Sequence, residues 1–338
     1  MKPIVLVTGS CGRIGSHVVK RLSGAFQVFG LELPKSPPMD QVISVDLSSD
    51  KSVEEAFRKV PKRKIASVVH LAAYYSFDQK RSELYEAVTV RGTERLLKAL
   101  QQFDVDQFIF SSTMLVHAPT QPGYPIDENS PIAPKWDYPR SKIETEALIH
   151  KLRGSISTVI LRMAGVYDDH CHSIPISHQI QRIYEKKLEA RLFSGDLTHG
   201  APFLHMEDLV DGIELAVAKR KELPPELVLL LGEPNTLSYD QLQRKISSLV
   251  HGKTFKTWRI PKPIAKLGAW VQGLIGNPFI KPWMIDLADD HYELDLSRAK
   301  THLGWSAKQS LERTLPKMIG GLKADPDRWY ALNQLTVR

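Results

Sequence analysis

A glycine-rich turn at residues 8–16 constrains the fold more than any other feature. The segment Thr8-Gly9-Ser10-Cys11-Gly12-Arg13-Ile14-Gly15-Ser16 follows an apolar run, Ile4–Val7, and opens a helical pattern over Ile14–Leu22. Glycines spaced three apart permit a tight turn, close approach of the backbone to a pyrophosphate, and close packing of helix on strand. The helix N-terminus adds unpaired N–H groups and a partial positive charge. This pattern favours a dinucleotide site over a purely structural turn.

The first half of the chain alternates short runs rich in Val and Ile with segments of helical spacing. Expected strands are Ile4–Val7, Gln27–Leu31, Val42–Val45, Ser67–Leu71, Gln107–Ser111 and Thr158–Leu161; expected helices are Ile14–Leu22, Val53–Lys59, Ser82–Gln102 and Arg140–Leu152. Strands that alternate with helices indicate a parallel sheet covered on both faces. Right-handed crossovers then predict an α/β fold, a Rossmann-type doubly wound parallel sheet.

After about Tyr167 the regular alternation weakens. Helical patterns run over Ile174–Lys187, Glu207–Lys219, Tyr239–Val250 and Leu311–Leu322, with short strands expected at Val228–Leu231 and Phe255–Trp258. We therefore expect a smaller, mostly helical C-terminal substrate-binding cap. The predicted division gives residues 1–166 to the dinucleotide-binding domain, with 203–221 returning to it, and gives residues 167–202 and 222–330 to the cap.

Composition excludes several classes of protein. The 338 residues include 42% hydrophobic and 25% charged residues, which is typical of globular chains. Two cysteines, Cys11 and Cys171, provide neither a disulfide framework nor zinc-ligand spacing, so we expect no metal and a cytoplasmic location. No apolar run has the length of a membrane span. The net charge of +7 comes without a long basic run or a nucleic-acid-binding signature, so no nucleic acid partner is expected.

Acidic residues at the ends of two expected strands bear on the choice of dinucleotide. Glu32 can accept hydrogen bonds from the adenosine ribose hydroxyls and would repel a 2′-phosphate, which favours NAD over NADP. Lys35 lies near enough to keep NADP as an alternative. Asp46 follows the third strand, where it either reaches the adenine edge or serves as an ordinary turn residue.

A tyrosine and a lysine four residues apart carry the candidate chemistry. Tyr138 and Lys142 stand at the head of a helix and project from one face. A free tyrosine has a pKa of about 10, which makes it a poor base at neutral pH. A nearby ammonium lowers that pKa, so Tyr138 can take a proton from a substrate hydroxyl. Thr113, at the end of the fifth strand, is placed to hold the same substrate oxygen.

In this order, these motifs resemble the extended short-chain dehydrogenase/reductase family, the NAD-dependent epimerase/dehydratase group. The resemblance extends over most of the chain. It is carried by the glycine turn, Asp46-Leu47, His70-Leu71-Ala72-Ala73, Gly92-Thr93, Phe110-Ser111-Ser112-Thr113, Tyr138 with Lys142, Arg162, Val166-Tyr167, Phe203 to Leu209, Gly232-Glu233-Pro234 and Leu303-Gly304-Trp305. It implies a Rossmann domain with a cap, bound NAD, and catalysis by Thr113, Tyr138 and Lys142.

The resemblance also implies which residues line the ligands. The expected cofactor-binding residues are Gly9, Cys11, Gly12, Arg13, Ile14, Gly15, Glu32, Asp46, Leu47, Leu71, Ala72, Ala73, Ser111, Tyr138, Lys142 and Met163. The expected substrate-binding residues are Tyr74, Thr113, Met114, Tyr138, Gly165 and Val166. Members of the family are often homodimers, so we expect two copies joined through the helices at about residues 82–102 and 140–152.

Departures from the family pattern narrow the substrate. The dehydratases of the family carry an Asp-Glu pair directly after the catalytic threonine, where this chain has Met114 and Leu115. Members that bind nucleotide sugars hold the diphosphate with an Asn and an Arg, where this chain has Gly165 and Ala201. A buried diphosphate without such partners is costly. A small-molecule substrate other than a nucleotide sugar is therefore expected.

An apolar segment of the cap allows three interpretations. Pro263, Ile264, Leu267, Val271, Leu274 and Ile275 recur at helical spacing, with Trp270, Phe279 and Trp283 nearby. The segment is either an ordinary core helix, the interpretation given most weight, an apolar wall for the substrate, or a helix in weak peripheral contact with a membrane.

Three functions remain open at the level of sequence. The leading hypothesis is an NAD-dependent oxidoreductase that interconverts a secondary alcohol and a ketone. The alternative is a sugar or nucleotide-sugar 4-epimerase that retains NAD and uses the same three residues. The least favoured is a protein that senses NAD without turnover, because such proteins lose the tyrosine or the lysine.

Overall fold

The computed structural model describes residues 2–34, 41–76, 82–275 and 280–336, with the backbone alone for 272–275. The strands are β1 (Ile4–Thr8), β2 (Gln27–Glu32), β3 (Val42–Ser44), β4 (Ile65–His70), β5 (Gln107–Thr113), β6 (Ser157–Met163), β7 (Gly165–Tyr167), β8 (Leu192–Phe193), β9 (Phe203–His205), β10 (Glu226–Leu231) and β11 (Trp258–Arg259). The helices are α1 (Arg13–Leu22), α2 (Asp50–Lys59), α3 (Arg91–Leu100), α4 (Asp137–Leu152), α5 (Ile174–Tyr184), α6 (Met206–Ala218), α7 (Tyr239–His251), α8 (Lys262–Ile275), α9 (Pro282–Asp286), α10 (Ser297–Leu303), α11 (Leu311–Ala324) and α12 (Pro326–Leu332).

Seven parallel strands form the central sheet in the order β10-β6-β5-β4-β1-β2-β3. The register of β1 aligns Val7 with Gly30 of β2 and with Val69 of β4. Strands β1 and β4 are buried along their whole length, as expected for a sheet covered by helices on both faces. The predicted Rossmann-type α/β fold is confirmed. Its parallel strands bring the carboxyl ends of β1, β2, β4, β5 and β6 to one edge.

Local sequence explains where several helices begin and end. Helix α2 begins after Ser49, whose hydroxyl accepts the Ser52 N–H. Helix α7 begins with a capping box between Ser238 and Gln241 and ends at Gly252, which has a φ of 71°. These signals explain why the predicted bounds of most helices agree closely with the structure.

The helix predicted over residues 82–102 takes a different form. The segment is continuously helical over residues 83–100, so the predicted helix is confirmed, but it contains a π-helical turn, Tyr85–Val90, directly before α3. The turn brings the Thr89 hydroxyl within 3.0 Å of the Tyr74 backbone N–H, which donates to it. π-Helical turns inside helical segments occur frequently at functional sites.

The second half of the chain divides differently from expectation in one respect. Residues 226–231 lie in the range assigned to the cap, but they form β10, an edge strand of the central sheet paired with β6. The expected strand Phe255–Trp258 is reduced to β11, which pairs with β8. Helices α5, α7, α11 and α12 enclose a separate apolar cluster around Ile180, Ile246, Leu315 and Trp329. The division into a dinucleotide-binding domain and a cap stays a prediction.

Candidate functional site

The glycine turn between β1 and α1 has the shape that a close backbone approach requires. Gly9 has a φ of 67°, and its carbonyl accepts the Gly12 N–H at 3.0 Å. A Cβ atom added to Gly15 would overlap the Gly9 carbonyl, so only glycine fits there. Helix α1 begins at Arg13, directly after this turn, so its N-terminal N–H groups have no partner within the helix. The turn therefore has the geometry of a phosphate cradle at a helix N-terminus.

Glu32 lies beside this turn at the end of β2. Its Oε2 atom accepts the Cys11 N–H at 2.8 Å, and its Oε1 atom accepts the Leu33 N–H at 3.0 Å. The carboxylate is thus oriented next to the turn, and its role toward a ribose stays a prediction. Lys35, which kept NADP as an alternative, lies outside the described residues.

Asp46 and Leu47 follow β3 and support the neighbouring turn. The Asp46 carboxylate accepts both the backbone N–H and the hydroxyl of Ser48, at 2.8 and 2.7 Å. Leu47 is buried, and a Cβ atom added to Gly92 of α3 would lie 3.0 Å from the Leu47 Cβ atom. These contacts correspond to the turn-residue interpretation of Asp46, and a role toward adenine stays a prediction.

A hydrogen-bonded chain through His70 fixes the end of β4 beside the glycine turn. The Thr8 hydroxyl accepts the Leu71 and Ala72 N–H groups at 3.1 Å and lies 2.6 Å from His70 Nδ1. His70 Nε2 lies 2.8 Å from the Thr93 hydroxyl, which donates to the Thr89 carbonyl. Burial lowers the pKa of His70 to about 3. The ring is therefore neutral, with its proton on Nε2, and Leu71 and Ala72 are held next to the turn.

Lys142 of α4 is buried beneath the tyrosine of the predicted pair. Its Nζ atom donates to the Ser111 carbonyl at 2.6 Å and lies 4.7 Å from the Phe110 ring centroid and 5.7 Å from that of Tyr138. Burial lowers the pKa of the Lys142 ammonium to about 7, and the Glu146 carboxylate opposes this shift. The structure thus brings together Ser111, Tyr138 and Lys142 at the carboxyl edge of β5.

Tyr138 and Thr113 form the reactive end of this group. Tyr138 is in the first turn of α4, and its hydroxyl lies near the side chain of Thr113, the last residue of β5. Burial raises the pKa of Tyr138 above its usual value, and the Thr113 side chain opposes only part of this shift. A further cation is needed to make this phenol a base at neutral pH, and the ammonium of Lys142 is placed to provide it.

A buried ionic network joins α4 to β6 beside Lys142. The sequence analysis did not predict it. Arg162 of β6 binds the Glu146 carboxylate, with Nη2 to Oε2 at 2.6 Å, and its Nη1 lies 3.0 Å from His117 Nε2. The Ser112 hydroxyl donates to Glu146. The available signal was spacing, because Tyr138, Lys142 and Glu146 follow one another at four-residue intervals on α4.

Aromatic rings surround Tyr138 on the side facing the cap. The ring centroid of Tyr138 lies 4.8 Å from that of Tyr75 and 5.5 Å from that of Trp136. Trp136 in turn lies 5.5 Å from Trp283, which belongs to α9. Tyr74 packs edge-on against Tyr85 at 4.9 Å. The neighbourhood of the candidate base is therefore largely apolar.

The segment after β6 is also apolar where the resemblance led us to look for polar groups. Gly165 begins β7, and a Cβ atom added to it would lie 3.1 Å from the Phe203 ring. Ala201, two residues before Phe203, packs against the main apolar core. Met114 and Met163 are buried, and Val166 packs against the same core. The Phe203 ring fills the space that a side chain at position 165 would need.

A short loop after β7 connects the glycine turn to α12. Arg13 Nη1 donates to the His172 carbonyl at 2.7 Å, and the His172 N–H donates to Asn333 Oδ1 at 2.8 Å. Cys171 and His172 have φ values of 80° and 39°, which are strained for residues other than glycine. His172 is paired with Asp168 at 2.5 Å. Among the described residues, no group of three His, Cys, Asp or Glu side chains is arranged to hold a metal.

Helix α8 contradicts the favoured interpretation of an ordinary core helix. Ile264, Leu267 and Trp270 are 60%, 62% and 59% exposed. The side chains of Leu274 and Ile275, and Phe279, lie outside what the structure describes. Within the described part of the chain, no helix is long and apolar enough to cross a membrane.

Sheet order and the tyrosine–lysine pair together define the extended short-chain dehydrogenase/reductase class. A sequence profile of the NAD dependent epimerase/dehydratase family matches residues 5–232. The chain belongs to this family. The predicted resemblance is thereby confirmed.

Similar proteins in this class have more than one activity. The UDP-glucose 4-epimerase of Vibrio cholerae is 27% identical over 92% of this chain and 93% of its own length. The human 3 beta-hydroxysteroid dehydrogenase type 7 is 23% identical over 94% of this chain and 95% of its own length. The Thermus thermophilus UDP-glucose 4-epimerase in complex with NAD superposes with a TM-score of 0.69 at 22% identity, covering 95% of this chain and 99% of its own.

Proposed function

We propose that this protein is an NAD-dependent enzyme that oxidises a secondary alcohol at Tyr138. The observation that carries the proposal is the arrangement of three residues: Thr113 lies close enough to Tyr138 to lower the pKa of its hydroxyl, and the buried Lys142 Nζ lies 5.7 Å from the centre of the Tyr138 ring. The residues present fit NAD, because the glycine turn admits no Cβ atom at Gly15 and Glu32 offers a carboxylate beside it. Bound NAD supplies the acceptor for the hydride of the alcohol carbon.

The chain's own residues handle the proton. The Thr113 hydroxyl holds the substrate oxygen. Tyr138 Oη takes the proton of the substrate hydroxyl while the C–O bond of the substrate becomes a carbonyl. The Lys142 ammonium stabilises the phenolate of Tyr138 electrostatically, and that phenolate favours the charged form of Lys142 in return. The Ser111 carbonyl keeps Lys142 in position. In the reverse direction, Tyr138 returns the same proton.

Similarity to known enzymes favours the 4-epimerase alternative. The relatives named UDP-glucose 4-epimerase in Vibrio cholerae and UDP-glucuronate 4-epimerase in Thermodesulfobacterium geofontis align over 92% and 94% of this chain. In a 4-epimerase the ketone stays in the site and the alcohol is re-formed with the opposite configuration. Thr113, Tyr138 and Lys142 serve both halves of such a reaction, so no additional acid or base is needed.

A second candidate, a dehydrogenase that releases the ketone, is favoured by the surroundings of the site. Gly165 and Ala201 offer no side-chain donor to a diphosphate, and the Phe203 ring lies against Gly165. Tyr75, Trp136 and Trp283 give the cap side of Tyr138 an apolar surface. Both observations favour an alcohol without a nucleotide.

One experiment separates the two candidates. The purified protein is incubated with NAD and either UDP-glucose or a 3β-hydroxysteroid, and both NADH absorbance and sugar products are followed. UDP-galactose formed without NADH accumulation supports the epimerase; NADH formed in proportion to a ketosteroid supports the dehydrogenase.

With the active substrate, Tyr138→Phe is expected to lower kcat by about 100- to 10,000-fold. A Tyr138→Phe protein as active as the parent contradicts the proposal. NAD binding without turnover of either substrate favours the sensing protein.

Two further expectations stay predictions. They are the association of two copies through residues 82–102 and 140–152, and a cytoplasmic location.

A further inference from the structure

Helix α8 presents its apolar side chains outward. Ile264, Leu267 and Val271 are three and four residues apart and therefore form one stripe, with Trp270 beside it. All four are exposed, whereas Ala269, on the other side of the helix, is buried. A contiguous exposed apolar stripe on a monomer is unusual and indicates a surface that binds something.

The lysines of α8 are turned away from this stripe. Lys262 Nζ pairs with Asp289 and Lys266 Nζ pairs with Asp286, each at 2.6 Å. Both acids follow α8 in the chain and lie on the body of the cap. The helix therefore directs its charged residues toward its own protein and its apolar residues outward, the reverse of an ordinary surface helix.

The chain segment that contains β11 and α8 carries charge of one sign. Residues 251–285 contain six Lys or Arg and no Asp or Glu, in a chain whose whole net charge is +7. Lys253, Lys256 and Arg259 are exposed, and no ion pair joins Lys253 or Lys256 to another described residue. Trp258, on β11 between these cations, is 58% exposed. The segment that leads into α8 thus carries unpaired positive charge and an exposed tryptophan.

We propose that β11 and α8 form a surface that binds an anionic lipid bilayer, with α8 lying in the plane of the headgroups. Apolar side chains enter the boundary between headgroups and acyl chains, and tryptophan prefers that boundary. The cations Lys253, Lys256 and Arg259 attract anionic headgroups. An acidic protein would match the charge but would leave the Ile264–Val271 stripe without an apolar partner. This proposal does not depend on the reaction catalysed at Tyr138.

Co-sedimentation with vesicles tests the proposal. The full chain is mixed with vesicles of phosphatidylcholine alone or with equal parts of phosphatidylglycerol. We expect pelleting with the mixed vesicles, weaker at high salt, and a blue shift of tryptophan emission that diminishes in Trp270→Phe. Leu267→Glu is expected to reduce binding at least tenfold. Lys253→Gln combined with Lys256→Gln is expected to reduce vesicle binding about 25-fold, since each cation near an anionic surface contributes about fivefold.

Controls keep the outcome decisive. Tyr124→Glu places the same charge at another exposed ring, 71% exposed, and should leave vesicle binding unchanged. Leu267→Gln repeats the test without a new charge, and circular dichroism verifies that each variant is folded. Absence of pelleting with the mixed vesicles, or pelleting that Leu267→Glu does not weaken, overturns the proposal. If Leu267→Glu instead changes only the oligomeric state measured by light scattering, the stripe covers a second copy and the proposal is wrong.

Discussion

Charged side chains are buried in the sheet region, whereas apolar side chains are exposed on helix α8. Around α4, the charged groups of Lys142, Glu146 and Arg162 are buried in the protein. On α8, the apolar side chains of Leu267 and Trp270 face outward. Buried charge and contiguous exposed apolar surface are the two arrangements that simple burial does not explain. Each therefore marks a region where something other than stability has shaped the sequence.

The largest effect is expected from breaking the buried ion pair. Glu146→Gln leaves the Arg162 guanidinium buried without its carboxylate, so we expect a loss of about 3–5 kcal/mol in the free energy of unfolding, measured by denaturant titration. The matched control is Glu54→Gln, which removes an exposed pair with Arg58 at 3.6 Å and should cost less than about 1 kcal/mol. Equal losses in the two variants would show that Glu146 is not acting as a buried charge.

A glycine substitution tests the cofactor side of the same region. In Gly15→Ala the new methyl group overlaps the Gly9 carbonyl. We therefore expect the free energy of unfolding to fall by about 3 kcal/mol and NAD binding to be lost, both measured by calorimetry. Gly320→Ala is the control, because it lies within α11 with open space around its Cβ position. Gly320→Ala is expected to increase the free energy of unfolding by up to about 1 kcal/mol. Wild-type NAD affinity in Gly15→Ala would contradict the assigned cradle.

The lowered pKa of Lys142 predicts a pH dependence of stability in the nucleotide-free protein. Its folded pKa is about 7, against 10.5 as the ordinary value. Between these values the unfolded chain holds a proton that the folded chain has released, so raising the pH favours folding. From pH 7 to pH 9 this lysine should add about 2 kcal/mol. Lys142→Met should lack that increment, and parallel stability curves for the two proteins would argue against the burial of a neutral amine.

The smallest effect is expected on α8. Leu267→Gln should change the free energy of unfolding by less than about 0.5 kcal/mol, because the side chain is already 62% exposed. Leu161→Ala, at a buried position of β6, should cost about 2–5 kcal/mol. Thermal unfolding compares them directly. A large loss in Leu267→Gln would mean that the stripe is packed against protein.

Sequence patterns predicted the sheet far better than the cap. The glycine turn and the Val- and Ile-rich runs have distinctive local signals, which is why six strands of the central sheet were located. The seventh strand, β10, was expected as a strand but assigned to the cap, because its pairing with β6 is non-local. For α8, helical spacing of apolar residues predicted a helix correctly but did not reveal which side would be covered.

The site was predictable to the extent that its residues lie on short motifs. Tyr138, Lys142 and Thr113 were identified from spacing and strand ends, and the structure brings them together. Arg162 was noted only as a motif residue, and Glu146 was not selected at all. Their pairing joins α4 to β6 across space, so no pattern within either segment announces it. Trp283 packs against Trp136, beside Tyr138, because of the tertiary fold, so no local sequence pattern predicted this contact either.

The loop at residues 168–172 has a mechanical consequence. It is bonded to Arg13 at the beginning of α1 and to Asn333 just after α12, through His172 in both cases, and Asn333 also donates to the His170 carbonyl at 3.0 Å. Residues that are distant in the sequence are therefore held together by this loop. Moving the loop would break these hydrogen bonds at the same time. We therefore expect the His172 amide to exchange its proton for deuterium slowly, although the loop lies near the surface.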